Sequence, residues 1–261
     1  MNASGHRRLQ RALEGLEAAE DLLSAAAQVK AIGTDLGLSH PAVVDDYSQR
    51  RLLTAENGCA LAELFGWEPE IQAEWVDYSL TRICPVGAVC RVTTRPFAWD
   101  AATMAELARE IAGRSGQRWN LTPERGIVGG ISVPIHLPRC GVGTVGWISR
   151  DPDLDLDAIL AEHGHVLRLA AMRMMDIVYA GREDDSSESL PTVLSQREIE
   201  CLTWVALGRT DAEVAGLIHR STTTARFHVE NAISKLGARN RTQAVAIACQ
   251  RGLIQPTCDH H

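Results

Sequence analysis

The chain has 261 residues, of which 45% are hydrophobic, and it carries a net charge of −7 at pH 7. This length allows two domains, and the apolar content is typical of a chain that folds around a core. The acidic balance argues against indiscriminate binding to nucleic acid. The N-terminus shows no signal-peptide core, and no run reaches the ~18 apolar residues of a membrane span. We therefore expect a cytoplasmic protein with no membrane partner.

The cysteines show no pattern of a metal site or of a disulfide framework. No two of the seven form a CxxC pair, and an odd number of widely spaced cysteines favours reduced thiols in a cytosol. They are Cys59, Cys84, Cys90, Cys140, Cys201, Cys249 and Cys258.

The first third of the chain alternates between helical and extended patterns. Leucines at near-helical spacing predict a helical region over residues 8–36. A first strand is predicted at 42–47 and a second helical stretch at 60–80. A short strand with Val89 and Val92 follows, and the segment PFAWD ends it.

The next segments complete an α/β unit. Residues 101–112 predict a helix capped by Asp100, and residues 127–137 and 143–149 alternate as two strands of a hairpin. Residues 151–179 predict a long helix whose broad apolar surface is either deeply buried or shared with a second chain. His163 lies on that surface and is interpreted as a packing residue. Residues 1–180 therefore predict an α/β sandwich, with a central, mostly antiparallel sheet and helices on its faces.

The chain then changes in composition and charge. Residues 181–191, GREDDSSESLP, are acidic and serine-rich and end in proline, which is typical of a flexible linker. From residue 192 onward, eight Lys/Arg stand against six Asp/Glu, a charge of +2, so the preceding residues carry −9. The C-terminal region is thus the part suited to phosphate, with affinity resting on placed contacts and on dimerisation.

Residues 192–256 predict four short helices with a helix-turn-helix in the middle. Two pairs have the spacing of a capping box, in which a hydroxyl and a carboxylate satisfy the free N–H groups of the first turn. The second helix covers about 211–217, and a three-residue connection leads to the third. The residues that mark these ends are Ser195 with Glu198, Thr210 with Glu213, Gly208 and Ser221.

The third helix has one apolar and one polar face at 100° per residue. The apolar face, which packs on the domain, consists of Ala225, Val229, Ala232, Ile233 and Leu236. The polar face fits the major groove of B-DNA, where Arg226 is suited to a guanine edge. The predicted DNA-contacting residues of this helix are Thr222, Thr223, Arg226, Glu230 and Asn231. The predicted phosphate contacts are Arg220, Lys235, Arg239 and Arg241. The other interpretation is a small helical bundle with a solvated polar face.

This region resembles the LuxR-type helix-turn-helix domain. The segments SQREIECLTW, GRTDAEVAGLI, STTTARFHVENAISKLG and NRTQAVAIA carry the resemblance. It implies a four-helix DNA-binding domain whose third helix reads the major groove, usually as a dimer. Thr223, Arg226 and Glu230 would face bases. Glu230 departs from the basic residue of some relatives, and either accepts from cytosine N4 or pairs with Arg226.

The segment WEPEIQAEWVDYSLTRICPVGAVCRVTTRPFAWD resembles the autoinducer-binding domain that precedes this helix-turn-helix. The resemblance implies an acyl-homoserine lactone enclosed between sheet and helices. Its pattern places the ligand against Trp67, Ile71, Trp75, Cys84, Trp99, Gly130 and Ser132. Ile71 replaces a tryptophan that donates to the lactone carbonyl, and Cys84 replaces an aspartate that accepts from the ligand amide.

These two departures change the chemistry of the pocket. A thiol is a weak acceptor, and isoleucine has no donor. Three indoles with an isoleucine suit a flat or aromatic ligand at least as well as a fatty-acyl lactone. Some relatives without a cognate synthase carry an apolar residue and a tryptophan in the slots of Ile71 and Trp75, and respond to other molecules. The other interpretation is that Trp67, Trp75, Trp99 and Trp119 form a filled core with no cavity.

The sequence therefore predicts a transcriptional regulator that binds operator DNA as a homodimer under the control of a small molecule. RNA polymerase is a further possible partner, and no catalytic cofactor is expected. Two alternatives stay open: a ligand-independent regulator, and a thiol or metal sensor using Cys84, Cys90 and the tail 257–261. An enzyme built on His136, Cys140 and Asp151 is disfavoured, and so is a phosphorylated receiver domain, since the alternating βα units are absent.

Overall fold

A computed structural model describes residues 3–49, 51–76, 84–113, 123–137, 141–180 and 193–255. They form two compact units, 3–180 and 193–255, which are considered separately. The predicted linker at 181–191 lies outside the described residues. Among the residues that are described, no helix is long and apolar enough to span a bilayer.

The first unit is an α/β sandwich, as predicted. Its sheet has four strands, β1 (His40–Val44), β2 (Phe97–Asp100), β3 (Gly129–His136) and β4 (Val142–Ser149). They are ordered β1-β4-β3-β2, and every neighbouring pair is antiparallel. The register places Ser132 opposite Gly146 and Trp99 opposite Gly130.

Two helices begin the chain where one helical stretch was predicted. They are α1 (Ala3–Glu17) and α2 (Leu22–Asp35). Asp21 interrupts the helical stretch because its carboxylate caps α2, accepting the Ser24 N–H at 2.7 Å. The predicted helix at 60–80 is likewise divided, into α3 (Leu61–Phe65) and α4 (Pro69–Val76), and its last four residues lie outside the described residues. Gly66 ends α3 in the left-handed region, with φ of 89°.

The predicted strand at Val89 and Val92 is wrong. The chain forms a short helix there, α5 (Pro85–Cys90), with Pro85 in its first turn. The strand lies further on, in β2, within the segment that was expected to end it. Helix α6 (Ala101–Ala112) follows directly, capped by Asp100 through the Thr103 N–H at 2.8 Å, as predicted.

The long helix α7 (Leu156–Ala180) packs on β2, β3 and β4 and contacts α1 and α2. It begins later than the predicted residue 151, because Asp155 accepts the Ala158 N–H and starts the helix there. His163 is buried in it, whereas Leu169 and Met172 are 59% and 50% exposed. Arg173 donates to the carbonyl oxygens of Glu17 at 3.1 Å and Ala19 at 2.7 Å, and so fixes the end of α1.

The second unit contains four helices: α8 (Gln196–Ala206), α9 (Asp211–Leu217), α10 (Thr222–Lys235) and α11 (Arg241–Gln250). Both predicted capping boxes are present, at Ser195 with Glu198 and at Thr210 with Glu213. The turn between α9 and α10 is closed by a bond from the Arg220 N–H to the Ala215 carbonyl at 2.9 Å. The predicted apolar face of α10 is confirmed, since Ala225, Val229, Ala232 and Leu236 are buried.

Candidate functional site

The first unit encloses a cavity of about 90 Å³ between the sheet and the helices α3 and α4. This volume is well above what one water molecule needs, so the interpretation as a filled core is wrong for the described residues. Thr144, Gly146 and Ile148 alternate along β4 toward the cavity, and the buried Trp147 points to the other face, where its indole N–H donates to the Val29 carbonyl.

Six of the seven predicted ligand-binding residues line this cavity. They are Trp67, Ile71, Trp75, Cys84, Trp99 and Ser132. The seventh, Gly130, lies behind Trp99. A Cβ atom at position 130 would lie 2.9 Å from Trp99 Cζ2 and 2.7 Å from the Trp147 carbonyl oxygen. Gly130 therefore does not line the cavity. Its lack of a side chain allows the Trp99 indole to pack against β3.

Two of the indole N–H groups at the cavity are paired within the protein. Trp99 Nε1 donates to Ser132 Oγ at 3.0 Å, and Trp67 Nε1 donates to the Pro41 carbonyl at 2.6 Å. Both bonds are buried, so a ligand must break one of them to receive a bond from either indole. Such a replacement gains little, because a protein bond is lost for each ligand bond made.

The thiol of Cys84 faces the phenol of Tyr47 in the same cavity. Burial raises the pKa of Cys84 to about 11, although hydrogen bonds from the Gly87 backbone and Tyr47 act to lower it. Burial also raises the pKa of Cys90 to about 12 and that of Tyr47 well above its usual value. All three groups are neutral near pH 7, so, among the described residues, this end of the cavity carries no charged acceptor for a ligand N–H.

Several cavity residues were not found from the sequence. Tyr47 and Arg51 lie in the loop after β1, Gln72 lies in α4 and Thr144 lies in β4. Arg51 Nε donates to the buried carboxylate of Asp45 at 3.1 Å, which holds the guanidinium at the cavity. An arginine in a loop gives no sequence signal that it will lie at a cavity, because its partner is decided by the fold.

The outward face of α10 forms the second candidate site. Thr222, Thr223, Arg226 and Glu230 are exposed, and Asn231 is half-buried at the edge. Among the predicted phosphate contacts, Arg220, Lys235 and Arg239 are exposed and Arg241 is half-buried. Most of the predicted DNA-contacting residues are therefore accessible. They do not all share one face, because at 100° per residue Lys235 lies on the opposite side of α10 from Arg226 and pairs with Glu198.

Ion pairs join α10 to the neighbouring helices of the unit. Lys235 Nζ donates to Glu198 Oε2 at 2.8 Å, and Arg226 Nε donates to Asp211 Oδ2 at 3.2 Å. Burial acts to raise the pKa of Glu198, but the hydrogen bonds from Lys235 and Ser195 outweigh it, and the pKa lies below its usual value. Arg226 was considered as a partner of Glu230, and the structure pairs it with Asp211 instead.

Comparisons with known proteins agree with this architecture. The family described as "Autoinducer binding domain" matches residues 26–177, and the family described as "Bacterial regulatory proteins, luxR family" matches residues 192–248. The HTH-type quorum sensing-dependent transcriptional regulator RpaR of Rhodopseudomonas palustris is 30% identical over 193 residues, which cover 73% of this chain and 74% of that protein.

Solved structures show a similar fold. The crystal structure of Escherichia coli SdiA has a TM-score of 0.52 at 16% identity and covers 96% of this chain and 99% of its own. SdiA in complex with octanoyl-rac-glycerol has a TM-score of 0.50 at 18% identity and covers 100% of both chains. With both domains matched in order, the chain belongs to the luxR family of bacterial regulatory proteins and is a DNA-binding transcriptional regulator with an N-terminal autoinducer binding domain.

Proposed function

We propose that this regulator responds to a flat, apolar or aromatic molecule other than an acyl-homoserine lactone. The ligand would occupy the cavity bounded by Trp67, Ile71 and Trp75, and its binding would control operator recognition by α10. One observation supports this above all: Cys84, in the slot of the usual aspartate, is a neutral thiol, and the indole N–H groups of Trp67 and Trp99 are already bonded within the protein.

The energetic argument concerns the polar groups of a lactone. Its amide N–H and ring carbonyl would enter a cavity where Ile71 has no donor and Cys84 is a poor acceptor. Each buried group left without a partner costs about 1–3 kcal/mol. An aromatic ring has no such cost and gains from stacking against the indoles. An acyl-homoserine lactone remains the second candidate, because the unit matches the autoinducer binding domain.

The finer features of the regulator are part of the same proposal. We expect a homodimer that places two α10 helices on one operator, with RNA polymerase as a further partner in the cytoplasm. The exposed Leu169 and Met172 on α7 support a second chain on that helix. No catalytic cofactor and no catalytic reaction are proposed. His136 Nε2 lies 2.9 Å from the Thr93 carbonyl, and Cys140 lies outside the described residues.

The thiol-sensor alternative is disfavoured by the chemistry of its two cysteines. The thiolate is the form that reacts with oxidants, and burial holds the pKa of Cys84 at about 11 and that of Cys90 at about 12. Both thiols are therefore protonated near pH 7. The tail 257–261, which was the metal part of this alternative, lies outside the described residues.

A thermal-shift screen of the purified protein tests the proposed ligand class. The panel holds acyl-homoserine lactones of several chain lengths beside aromatic and plant-derived molecules. A ligand at a hundred times its Kd adds about 2.7 kcal/mol, which raises the Tm of a unit of this size by roughly 5–10 °C. We expect this rise with aromatic molecules. A rise with lactones alone would contradict the proposal.

A matched pair of variants sharpens the result. Ile71→Trp combined with Cys84→Asp restores the donor and acceptor that a lactone needs, so this double variant should gain a lactone-dependent rise in Tm. Ile71→Trp combined with Cys84→Ser has the same bulk without the charged acceptor and should gain none. If neither variant responds, the missing donor and acceptor are not what excludes lactones. If both respond, the carboxylate is not the deciding group.

A further inference from the structure

Asp211 lies where three helices of the second unit meet. It is the first residue of α9, and its side chain is only 21% exposed. One carboxylate oxygen accepts from Arg226 Nε on α10 at 3.2 Å, and the other accepts from Arg241 Nη1 on α11 at 3.3 Å. A single acidic side chain therefore holds two arginines that were predicted separately as DNA contacts.

The contact with Arg226 uses one particular nitrogen. Arginine has five N–H donors in a rigid fork, and the bond to Asp211 engages Nε. The two terminal nitrogens are the ones that fork onto O6 and N7 of guanine in the major groove. Arg226 is 62% exposed, so the guanidinium is held at its inner nitrogen and remains accessible from outside.

The same carboxylate weakens the non-specific binding of DNA. Arg226 and Arg241 each lie beside its negative charge. A phosphate that approaches either arginine must compete with this charge, whereas a guanine edge, which is neutral, competes far less. Affinity for DNA of any sequence comes mostly from phosphate contacts. The carboxylate thus disfavours the contacts that carry no sequence information.

We propose that Asp211 is a positioning residue that sets the sequence selectivity of this regulator. It fixes the side chain of Arg226 for base reading and weakens the attraction of Arg226 and Arg241 for phosphate. This inference rests on the proposed reading of operator DNA by α10. Arg241 also donates to the Arg209 carbonyl at 2.9 Å, so α11 keeps a second tie to the turn before α9 when the carboxylate is removed.

The test compares two substitutions that remove the same charge from the same helical turn. Asp211→Asn removes the charge beside both arginines and retains an oxygen acceptor. Glu213→Gln removes a charge two residues away, at a side chain that contacts Thr210 and Arg209. Glutamine also completes a capping box, so the control keeps the start of α9.

Both variants and the wild type are assayed as full chains on two duplexes. One is the sequence that the wild-type protein selects from a randomised library, and the other is a scrambled duplex of equal length and composition. For Asp211→Asn we expect about threefold weaker binding to the selected duplex and about threefold tighter binding to the scrambled one. On the scrambled duplex, the slope of log affinity against log salt should steepen by about one, the value of one more phosphate contact. Glu213→Gln should leave the ratio of the two affinities unchanged.

A double substitution separates positioning from simple charge removal. In an Arg226→Ala background, Asp211→Asn should no longer change the preference at the base pair that Arg226 reads. If it changes that preference equally in both backgrounds, or if Asp211→Asn shifts both duplexes equally in the wild-type background, the inference is overturned. A wild-type chain that selects no sequence would overturn the proposed DNA reading itself, which is a different result.

A further variant covers the case in which Asp211→Asn fails to fold. Arg226→Lys keeps the positive charge. A lysine has a single nitrogen, so it cannot bond to Asp211 and also make a bidentate contact with guanine in the way that arginine can. It should lose about tenfold in the ratio of selected to scrambled binding while it retains its affinity for the scrambled duplex. An unchanged ratio would show that a held guanidinium is not needed, and would overturn the inference.

Discussion

The two units place their polar side chains in opposite ways. In the first unit, two of the indole N–H groups at the cavity are bonded within the protein, Trp99 to Ser132 and Trp67 to a backbone carbonyl. In the second unit, Arg226 and Glu230 lie exposed on the outer face of α10. A ligand entering the first unit thus meets mostly apolar surface, whereas a partner of the second meets polar groups. Under the proposed function, the first unit would therefore recognise its ligand mainly by shape, and the second would recognise DNA by hydrogen bonding and charge.

The largest expected effect tests the packing of the first unit. Gly130→Ala puts a methyl group 2.7 Å from the Trp147 carbonyl oxygen and 2.9 Å from Trp99. Because backbone atoms can move only at a large energetic cost, we expect a loss of about 2–3 kcal/mol in the free energy of unfolding. Urea denaturation measures this loss. Gly146→Ala is the control, since the nearest atom there is Ser132 Oγ at 3.2 Å, and it should cost less than about 1 kcal/mol. Equal costs would mean that Gly130 has no special place behind Trp99.

The next effect concerns the outward face of α10. Arg226→Ala should cost about 1–3 kcal/mol of discrimination at one base pair of the operator, because a bidentate contact to guanine is lost. The Tm of the protein should stay within a few degrees of the wild type, since this side chain is 62% exposed. Arg239→Ala is the comparison, with a smaller and uniform loss over all sequences. A uniform loss for Arg226→Ala as well would reassign that residue to a phosphate contact.

The smallest expected effect is a difference between the two units in the pH range over which each loses stability. Burial lowers the pKa of His163 below 6.5, although Glu162 opposes this and His6 and His165 add to it. The unfolded chain therefore binds more protons just below pH 6.5, and the first unit loses stability as the pH falls through that range. Glu198 has its pKa lowered below 4.5, so its contribution to the second unit is complete above pH 4.5 and is lost only below it.

Hydrogen exchange of peptides from each unit, corrected for intrinsic rates, measures this difference between pH 7 and pH 4. The first unit should lose protection before the second. His163→Gln should weaken the first of the two pH dependences, to which His40 also contributes because burial lowers its pKa, and Glu198→Gln should weaken the second. If protection in both units falls over the same pH range, these two residues do not control it.

The second unit was predictable because its signals are local. Each capping box is complete within four residues, as at Ser195 with Glu198, so the sequence alone indicates where a helix begins. The apolar side of α10 follows from helical spacing and was confirmed at Ala225 and Val229. What spacing did not reveal is the partner of Arg226, because Asp211 lies on another helix.

The first unit was less predictable because its elements depend on distant residues. Val89 favours a strand by propensity, but the segment is helical, and Gly87 within it packs so closely on Tyr47 that a Cβ atom would lie 2.9 Å from the ring. Tertiary packing decides such a segment over its local preference. The cavity residues Ile71 and Cys84 were found through family resemblance, whereas Arg51 carried no signal and depends on the buried Asp45.

The bond from Arg173 to the end of α1 has a consequence for synthesis of the chain. It spans 156 residues to Glu17, so at roughly 5–20 residues per second the ribosome needs about 8–30 s to supply the arginine after the helix that it caps. Strand β1 likewise cannot pair until β4, its neighbour in the sheet, has been synthesised. During that interval the apolar side of α1, including Leu9 and Leu16, has no α7 to cover it. The part of the α1 surface that α7 covers therefore stays exposed on the nascent chain until residue 173 has emerged.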